Sequence, residues 1–408
     1  MTGTETGSGT SPAHLKRVGS GRVAVLFCVV IMVTHGFGNG LVPAFLPRIA
    51  EQLESGYGVL GLAVASGLMA YGLGAAIGVK VIDRFPLQAI LLASLAVGAA
   101  GFLVIVWVDS APALAGCVAI ISLVSPISWA VSVRLIASVV EPSSHGRVMS
   151  VAGAGAGAGG GVNGLFVLLF AEPGQWRWAF FIASAVAVLA ALAAIVVLPG
   201  GTISGAGSSS GRPRAWREAW SLRAGRTVML VSVALGVTGF PFISYMSATA
   251  EEEFMGSALA MAVLWWVASS VGLVTAVLAG LWSDRASPVL VIGVIALTYT
   301  TTLTFFAINW SYGGLLAAAI GFGLFNYPTW GLLGHLAGQR ITEPALALRA
   351  VSGGLTGAAF FATGAVTLTG WWIDQAGTFR IPAIVLAGLG CLTAIWLATE
   401  YRREPRPS

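Results

Sequence analysis

Long apolar runs alternate with short polar breaks along this chain of 408 residues. Twelve runs stand out, roughly 23–47, 58–79, 88–108, 113–140, 148–171, 177–199, 227–250, 258–282, 288–309, 312–338, 350–373 and 380–399. Crossing a bilayer takes about 20 mostly apolar residues, each rising about 1.5 Å, over about 30 Å of hydrocarbon. Lipid offers no partner to an unpaired backbone amide or carbonyl, so each run is predicted to be a helix. The breaks carry turn chemistry or charge, as at Glu51 to Gly58, Asp83 to Pro86 and Glu141 to Gly146. The longest break, 200–226, is Gly/Ser-rich and then arginine-rich, and it divides six spans from six.

The polar punctuation repeats. Asp83-Arg84 recurs as Asp284-Arg285, Glu141-Pro142 as Glu343-Pro344, Arg147 as Arg349, and Pro126 as Pro328. Glu172 ahead of Trp176-Arg177 recurs as Asp374 ahead of Phe379-Arg380. The offset stays between 201 and 203 throughout, so the duplication is in register. Six is even, so both copies start on the same face of the membrane and are parallel repeats. The predicted fold is therefore an all-α membrane protein of twelve transmembrane helices in two parallel six-helix pseudo-repeats. A disordered cytoplasmic tail is expected over 1–22, bundles over 23–199 and 227–399, a cytoplasmic basic linker over 200–226, and a second cytoplasmic tail over 400–408.

Composition narrows the class. Hydrophobic residues make up 57% of the chain and charged residues 9%, against roughly a quarter charged in soluble domains. So few charges cannot cover a water-facing surface. The formal charge of +5 follows topology and does not point to nucleic acid. With the N-terminus in the cytoplasm, seventeen Lys and Arg fall on inner segments and only Arg48, Arg177 and Arg380 on outer loops, with Arg134 left inside a span. This is the asymmetry that orients membrane proteins, and it predicts an integral protein of the cytoplasmic (inner) membrane with both termini cytoplasmic. Glu251-Glu252-Glu253 then falls outside and reads as a solvated loop.

The repeated loops carry a resemblance. Gly280-Leu281-Trp282-Ser283-Asp284-Arg285 looks like the Gly-x-x-x-Asp-Arg loop motif of the major facilitator superfamily. Asp83-Arg84 is a degraded copy, with Gly78 one residue too early, and His145-Gly146-Arg147 resembles the family's Arg-Gly-Arg segment without its first Arg. The Arg that the family carries early in span 4 would fall near Val118 and is absent, and span 5 has Asn163-Gly164 where drug/proton antiporters have Gly-Pro. The resemblance implies a secondary transporter working by alternating access, with spans 1, 4, 7 and 10 around the cavity. It also implies a cytoplasmic latch favouring the outward-open state, here Asp83, Arg84, Arg147, Asp284, Arg285 and Arg349. Ordinary loop charges that enforce topology are the other reading of those six.

Polar groups inside a membrane are costly and mark functional positions. His35 lies near the middle of span 1, with Asn39 one helical turn on and Gly36, Gly38, Gly40 and Pro43 loosening the helix. His35 is a candidate substrate and proton site, since histidine exchanges a proton near neutral pH; a hydrogen bond to a neighbouring helix is the plainer account. Arg134 either snorkels to the interface or anchors an anion in the cavity. Further candidates for substrate contact are Ser128, Trp129 and Ser132 in span 4, Tyr245 in span 7, and Asn326, Tyr327 and Trp330 in span 10. His335 reads as gate packing, and Trp265 and Trp266 as cavity lining or an interfacial belt.

No Asp or Glu lies in the central part of any span, which argues against a proton pump built on a carboxylate and against attracting cationic drugs, and leaves His35, His335 and Arg134 as the titratable groups inside. The glycine run Gly153 to Gly161 satisfies a dinucleotide fingerprint but sits in a span instead of after a strand, so close helix packing explains it. Nothing calls for a cofactor or metal, and no catalytic constellation is present. The expected protein is a monomeric carrier, not an enzyme, for a small neutral or anionic organic solute. Its expected partners are that solute, the lipid bilayer and protons, with no nucleic acid. An efflux pump of the same fold is the alternative, and a non-transporting membrane sensor or membrane enzyme is the alternative of another class.

Overall fold

The computed structural model describes residues 19–199 and 216–403. Most of the expected tails (1–22 and 400–408) and of the expected linker (200–226), at 1–18, 200–215 and 404–408, lies outside the described residues, whereas 20–22, 216–221, 223–226 and 400–402 are helical. Helices α1 Ser20–Ala44, α2 Tyr57–Arg84, α3 Leu87–Ile105, α4 Ala111–Val139, α5 His145–Leu169 and α6 Trp176–Val197 form the first half. Helices α7 Arg223–Phe254, α8 Ala258–Ser283, α9 Pro288–Ile308, α10 Tyr312–Arg340, α11 Pro344–Ala376 and α12 Arg380–Arg402 form the second. The described chain begins and ends on one face of the bundle, called here the terminal face; the other is the far face.

Among the described residues, eleven helices are long and apolar enough to cross a membrane. The twelfth expected span, α10, has the length at 29 residues but carries seven glycines together with Asn326, Tyr327, His335 and Gln339, which dilute its hydropathy. It still packs against α8 and α9 as its counterpart α4 packs against α2 and α3.

The repeat read from sequence is a repeat in packing. In the first half α1 packs on α5, α2 on α4, and α3 on α4 and α6; in the second α7 packs on α11, α8 on α10, and α9 on α10 and α12. Single side chains repeat too. Arg177, at the start of α6, donates to the Val108 carbonyl beyond α3 at 3.0 Å and pairs with Asp109 at 2.8 Å. Arg380, at the start of α12, donates to the Ala307 carbonyl of α9 at 3.3 Å. Each arginine satisfies a carbonyl that the end of a helix leaves unpaired.

Across the interface α2 packs on α11 and α5 on α8, and the far-face part of α1 packs on α7. Among the described residues α4 and α10 are not packed along one another. The glycine run of α5 supplies close contact on two sides, as small residues do between membrane helices. Gly155 and Gly159 meet the backbone of α1 at Cys28 and Gly36, whereas Gly157, Gly160 and Gly164 meet Leu273, Ser269 and Trp266 of α8. A Cβ on Gly159 would stand 2.6 Å from the Gly36 Cα, whereas one on Gly161 would meet nothing within 4 Å.

Gly159→Ala is therefore expected to cost about 1–3 kcal/mol by overpacking backbone on backbone, and Gly161→Ala less than about 0.5 kcal/mol. Thermal melting of the two purified variants checks the difference; equal midpoints would contradict the packing described.

Candidate functional site

Helix α1 is not regular. Residues Met32–Phe37 form a π-helical turn, a wide turn that often marks functional positions. Glycine at 36 and 38 permits it, and Pro43, without an amide hydrogen, weakens the segment that follows. The helix breaks at Phe45 and resumes as a short helix, Leu46–Gln52. Neighbouring helices bond the carbonyls of the wide turn. Ser125 Oγ of α4 donates to the Thr34 carbonyl, and Asn163 Nδ2 of α5 donates to the Gly36 carbonyl at 3.0 Å.

The π turn presents His35 half-buried. Its Nδ1 lies 3.0 Å from Thr34 Oγ1, which also donates to the Val30 carbonyl at 2.9 Å. Two aromatic rings meet the imidazole edge-on: Tyr71 of α2 at 6.0 Å and Trp129 of α4 at 6.1 Å between centroids. Three helices of the first half thus converge on one partly exposed, titratable ring. Tyr71 was not anticipated from sequence; a lone tyrosine among the small residues of span 2 was the available signal. Asn39 is half-buried as well.

The other candidates divide. Asn326, Tyr327 and Trp330 of α10 are partly exposed, and the Tyr327 ring lies against Gly272 of α8 with its hydroxyl toward Gly160 of α5. Ser128 and Ser132 are fully buried, and their hydroxyls donate to the Ser125 and Ser128 carbonyls of their own helix, each at 2.7 Å. Tyr245 is buried and donates to the Val366 carbonyl at 3.0 Å, with the Tyr57 carbonyl at 3.4 Å. Trp265 and Trp266 are pinned inside, on Ser247 Oγ at 2.9 Å and the Gly161 carbonyl at 3.0 Å. His335 Nε2 lies 2.8 Å from Gln339 Nε2 on its own helix.

At the terminal face, Asp83 pairs with Arg134 of α4 at 3.2 Å, within one half, so Arg134 is held by a carboxylate at the membrane end of its helix. Arg84, Arg147, Asp284 and Arg285 are exposed and Arg349 is half-buried.

The far face is bonded shut, and the acidic run there is not a solvated loop. Glu251, Glu252 and Glu253 form the last turn of α7, and each reaches a different element. Glu251 pairs with Arg48 at 2.9 Å. Glu252 accepts from the Tyr57 hydroxyl at 2.8 Å. Glu253 accepts from Thr378 Oγ1 at 2.7 Å, the Phe379 amide at 2.8 Å and Trp310 Nε1 at 3.1 Å. Consecutive residues point about 100° apart around a helix, so three glutamates in a row serve three directions. Asp374 of α11 adds a cap to α2, accepting from the Tyr57 and Gly58 amides at 2.9 and 2.8 Å. The N-cap position itself, Gly56, has no side chain to do so.

The sequence model of the Major Facilitator Superfamily matches residues 28–360. Nothing among the curated proteins matches the chain. Among solved structures, the nucleoside transporter NupG in a mutant form is similar with a TM-score of 0.74 at 11% identity, over 92% of this chain and 99% of that one. A bacterial homologue of the human lysosomal transporter Spinster, inward-facing and unoccupied, gives 0.71 at 14% identity, over 93% and 96%. The xylose transporter XylE from E. coli, partially occluded and inward open, gives 0.69 at 13% identity, over 95% and 100%.

Because Asp374 caps α2 from the other half, Asp374→Ala is expected to lower stability by about 1–2 kcal/mol. Its counterpart Glu172 is exposed, and Glu172→Ala should stay within about 0.5 kcal/mol. Melting curves of both variants decide the matter; equal losses would contradict the capping role.

Proposed function

The chain belongs to the major facilitator superfamily, and from that premise we propose that it is a secondary carrier moving a small organic solute, neutral or anionic, across the cytoplasmic membrane. It works by alternating access as a monomer, with its termini in the cytoplasm. The observation that carries the site is the meeting of His35, Tyr71 and Trp129 at the π turn of α1. Asn39, Asn326, Tyr327 and Trp330 complete the proposed contacts from both halves. Rings with a few amide and hydroxyl groups suit a polar organic molecule. The named transporters of nucleoside and xylose, whose fold this chain shares, support that class of solute.

With cytoplasmic termini, the bonded far face is the outer gate and the structure is the inward-facing state. The exposed positions of Arg147 and Asp284 support reading the terminal-face charges as a latch, undone here and made when the carrier turns outward. His35 is the proposed proton-coupling group. The aromatic pair Tyr71 and Trp129 also favours a second reading, efflux of a more apolar compound by the same cycle.

A thermal-shift screen of purified protein against sugars, nucleosides, organic acids and drugs comes first. For the solute it identifies, Trp129→Ala should weaken binding about tenfold, the loss expected when one aromatic contact of about 1.4 kcal/mol is removed. Loading a proton on His35 is favoured at low pH, so uptake into proteoliposomes should fall as the outside pH rises. His35→Gln should flatten that profile; an unchanged profile would remove His35 as the coupling group, and unchanged binding in Trp129→Ala would remove the proposed site.

A further inference from the structure

A cavity lies at the terminal face, on the periphery of the second half between the start of α7 and the end of α12. It measures about 270 Å³ and is lined by Arg223, Arg226, Thr227, Leu230, Trp396, Glu400 and Arg403. α12 packs chiefly on α9, so this groove is far from the His35 cluster and faces the surroundings of the bundle.

Its polar rim is built and carries a surplus of positive charge. Arg223 is clipped in place: its Nε donates to Glu400 at 3.0 Å, and its two terminal nitrogens donate to the Arg403 carbonyl at 2.8 Å and the Glu400 carbonyl at 2.9 Å. Among the described residues Glu400 is the only carboxylate lining the cavity, and it is already paired with Arg223 at 3.0 Å and approached by Arg403 at 3.6 Å. Arg226 donates from one terminal nitrogen to the Ser221 carbonyl at 3.0 Å, which leaves most of the five donors of its guanidinium for another group. Below this rim the lining turns apolar at Leu230 and Trp396. An exposed Trp220 stands on the short helix Trp216–Ser221 that leads into α7.

A cationic mouth above an apolar slot, at the depth where a membrane helix begins, fits one amphipathic anion. We propose that this cavity binds the phosphate headgroup of an anionic phospholipid, with Arg226 and Arg403 on the phosphate and an acyl chain along Leu230 and Trp396. Arginine suits phosphate because its planar fork can donate two hydrogen bonds at once. Basic pockets between membrane helices recognise such headgroups. A free phosphate ion would share the arginine contacts but make no use of the apolar slot.

Native mass spectrometry of the full chain in detergent, titrated with phosphatidylglycerol, tests this. The wild type should retain the lipid, and Arg226→Gln and Arg403→Gln should each weaken retention about fivefold. Arg22→Gln, which removes another exposed cation of the same face, should change nothing. The Arg403 side chain holds up no other element, so Arg403→Gln carries the test if Arg226→Gln does not fold. Equal weakening in Arg22→Gln would mean diffuse surface attraction and would overturn the site. Equal retention of phosphatidylcholine, or loss of the bound lipid to an excess of inorganic phosphate, would overturn the assignment to an anionic lipid.

Discussion

In hydrocarbon every backbone amide and carbonyl must find its partner inside the protein, and that constraint orders everything else here. It makes the apolar runs helices. Because lipid gives helices no reason of solvation to associate, contact between them depends on close approach. The glycines of α5 provide this on two faces at once, toward α1 and toward α8. The same constraint explains how α1 can be irregular at its centre: Ser125 and Asn163 reach from adjacent helices to the carbonyls of the wide turn. The irregular turn and the residues that tolerate it form one unit.

How much was legible in the sequence follows from the range of each interaction. Helix positions and the duplication depend on local composition, and both were readable. His35 stood out because a titratable group in mid-span has a cost. Tyr71 carries no charge to make it costly, and its only signal was to be a lone tyrosine among small residues. Ser128 and Ser132 looked like cavity groups, but a serine hydroxyl on a helix can bond a carbonyl three or four residues back, and these do. The pairing of Arg134 with Asp83 joins residues 51 apart, and that of Glu251 with Arg48 joins different halves. Nothing local specifies those partners. The acidic run therefore looked like exposed loop when it is the most heavily bonded turn of the far face.

That bonded face is strong in number and weak in each part. The side chains of Arg48 and Glu251 are each 23% exposed, and pairs with access to water contribute about 0–1 kcal/mol apiece. The carboxyl of Asp374 and the hydroxyl of Tyr57 are likewise within reach of solvent. Water can replace such contacts one at a time. A closure made this way holds without being permanent, which is what the proposed carrier cycle would need. By contrast, the contacts of Gly155 and Gly159 with α1 set backbone on backbone, where water has no polar partner to replace.

The wide turn of α1 has no echo in its partner: α7 runs as continuous α-helix from Arg223 to Phe254. The two halves descend from one pattern, yet the irregular helix with its ring of aromatic neighbours belongs to the first, and the glutamates that fasten the far side belong to the second. Ancestral twins have thus diverged in shape. Under the carrier reading proposed above, a substitution beside the wide turn would alter what is held there without touching the glutamates that fasten the opposite side.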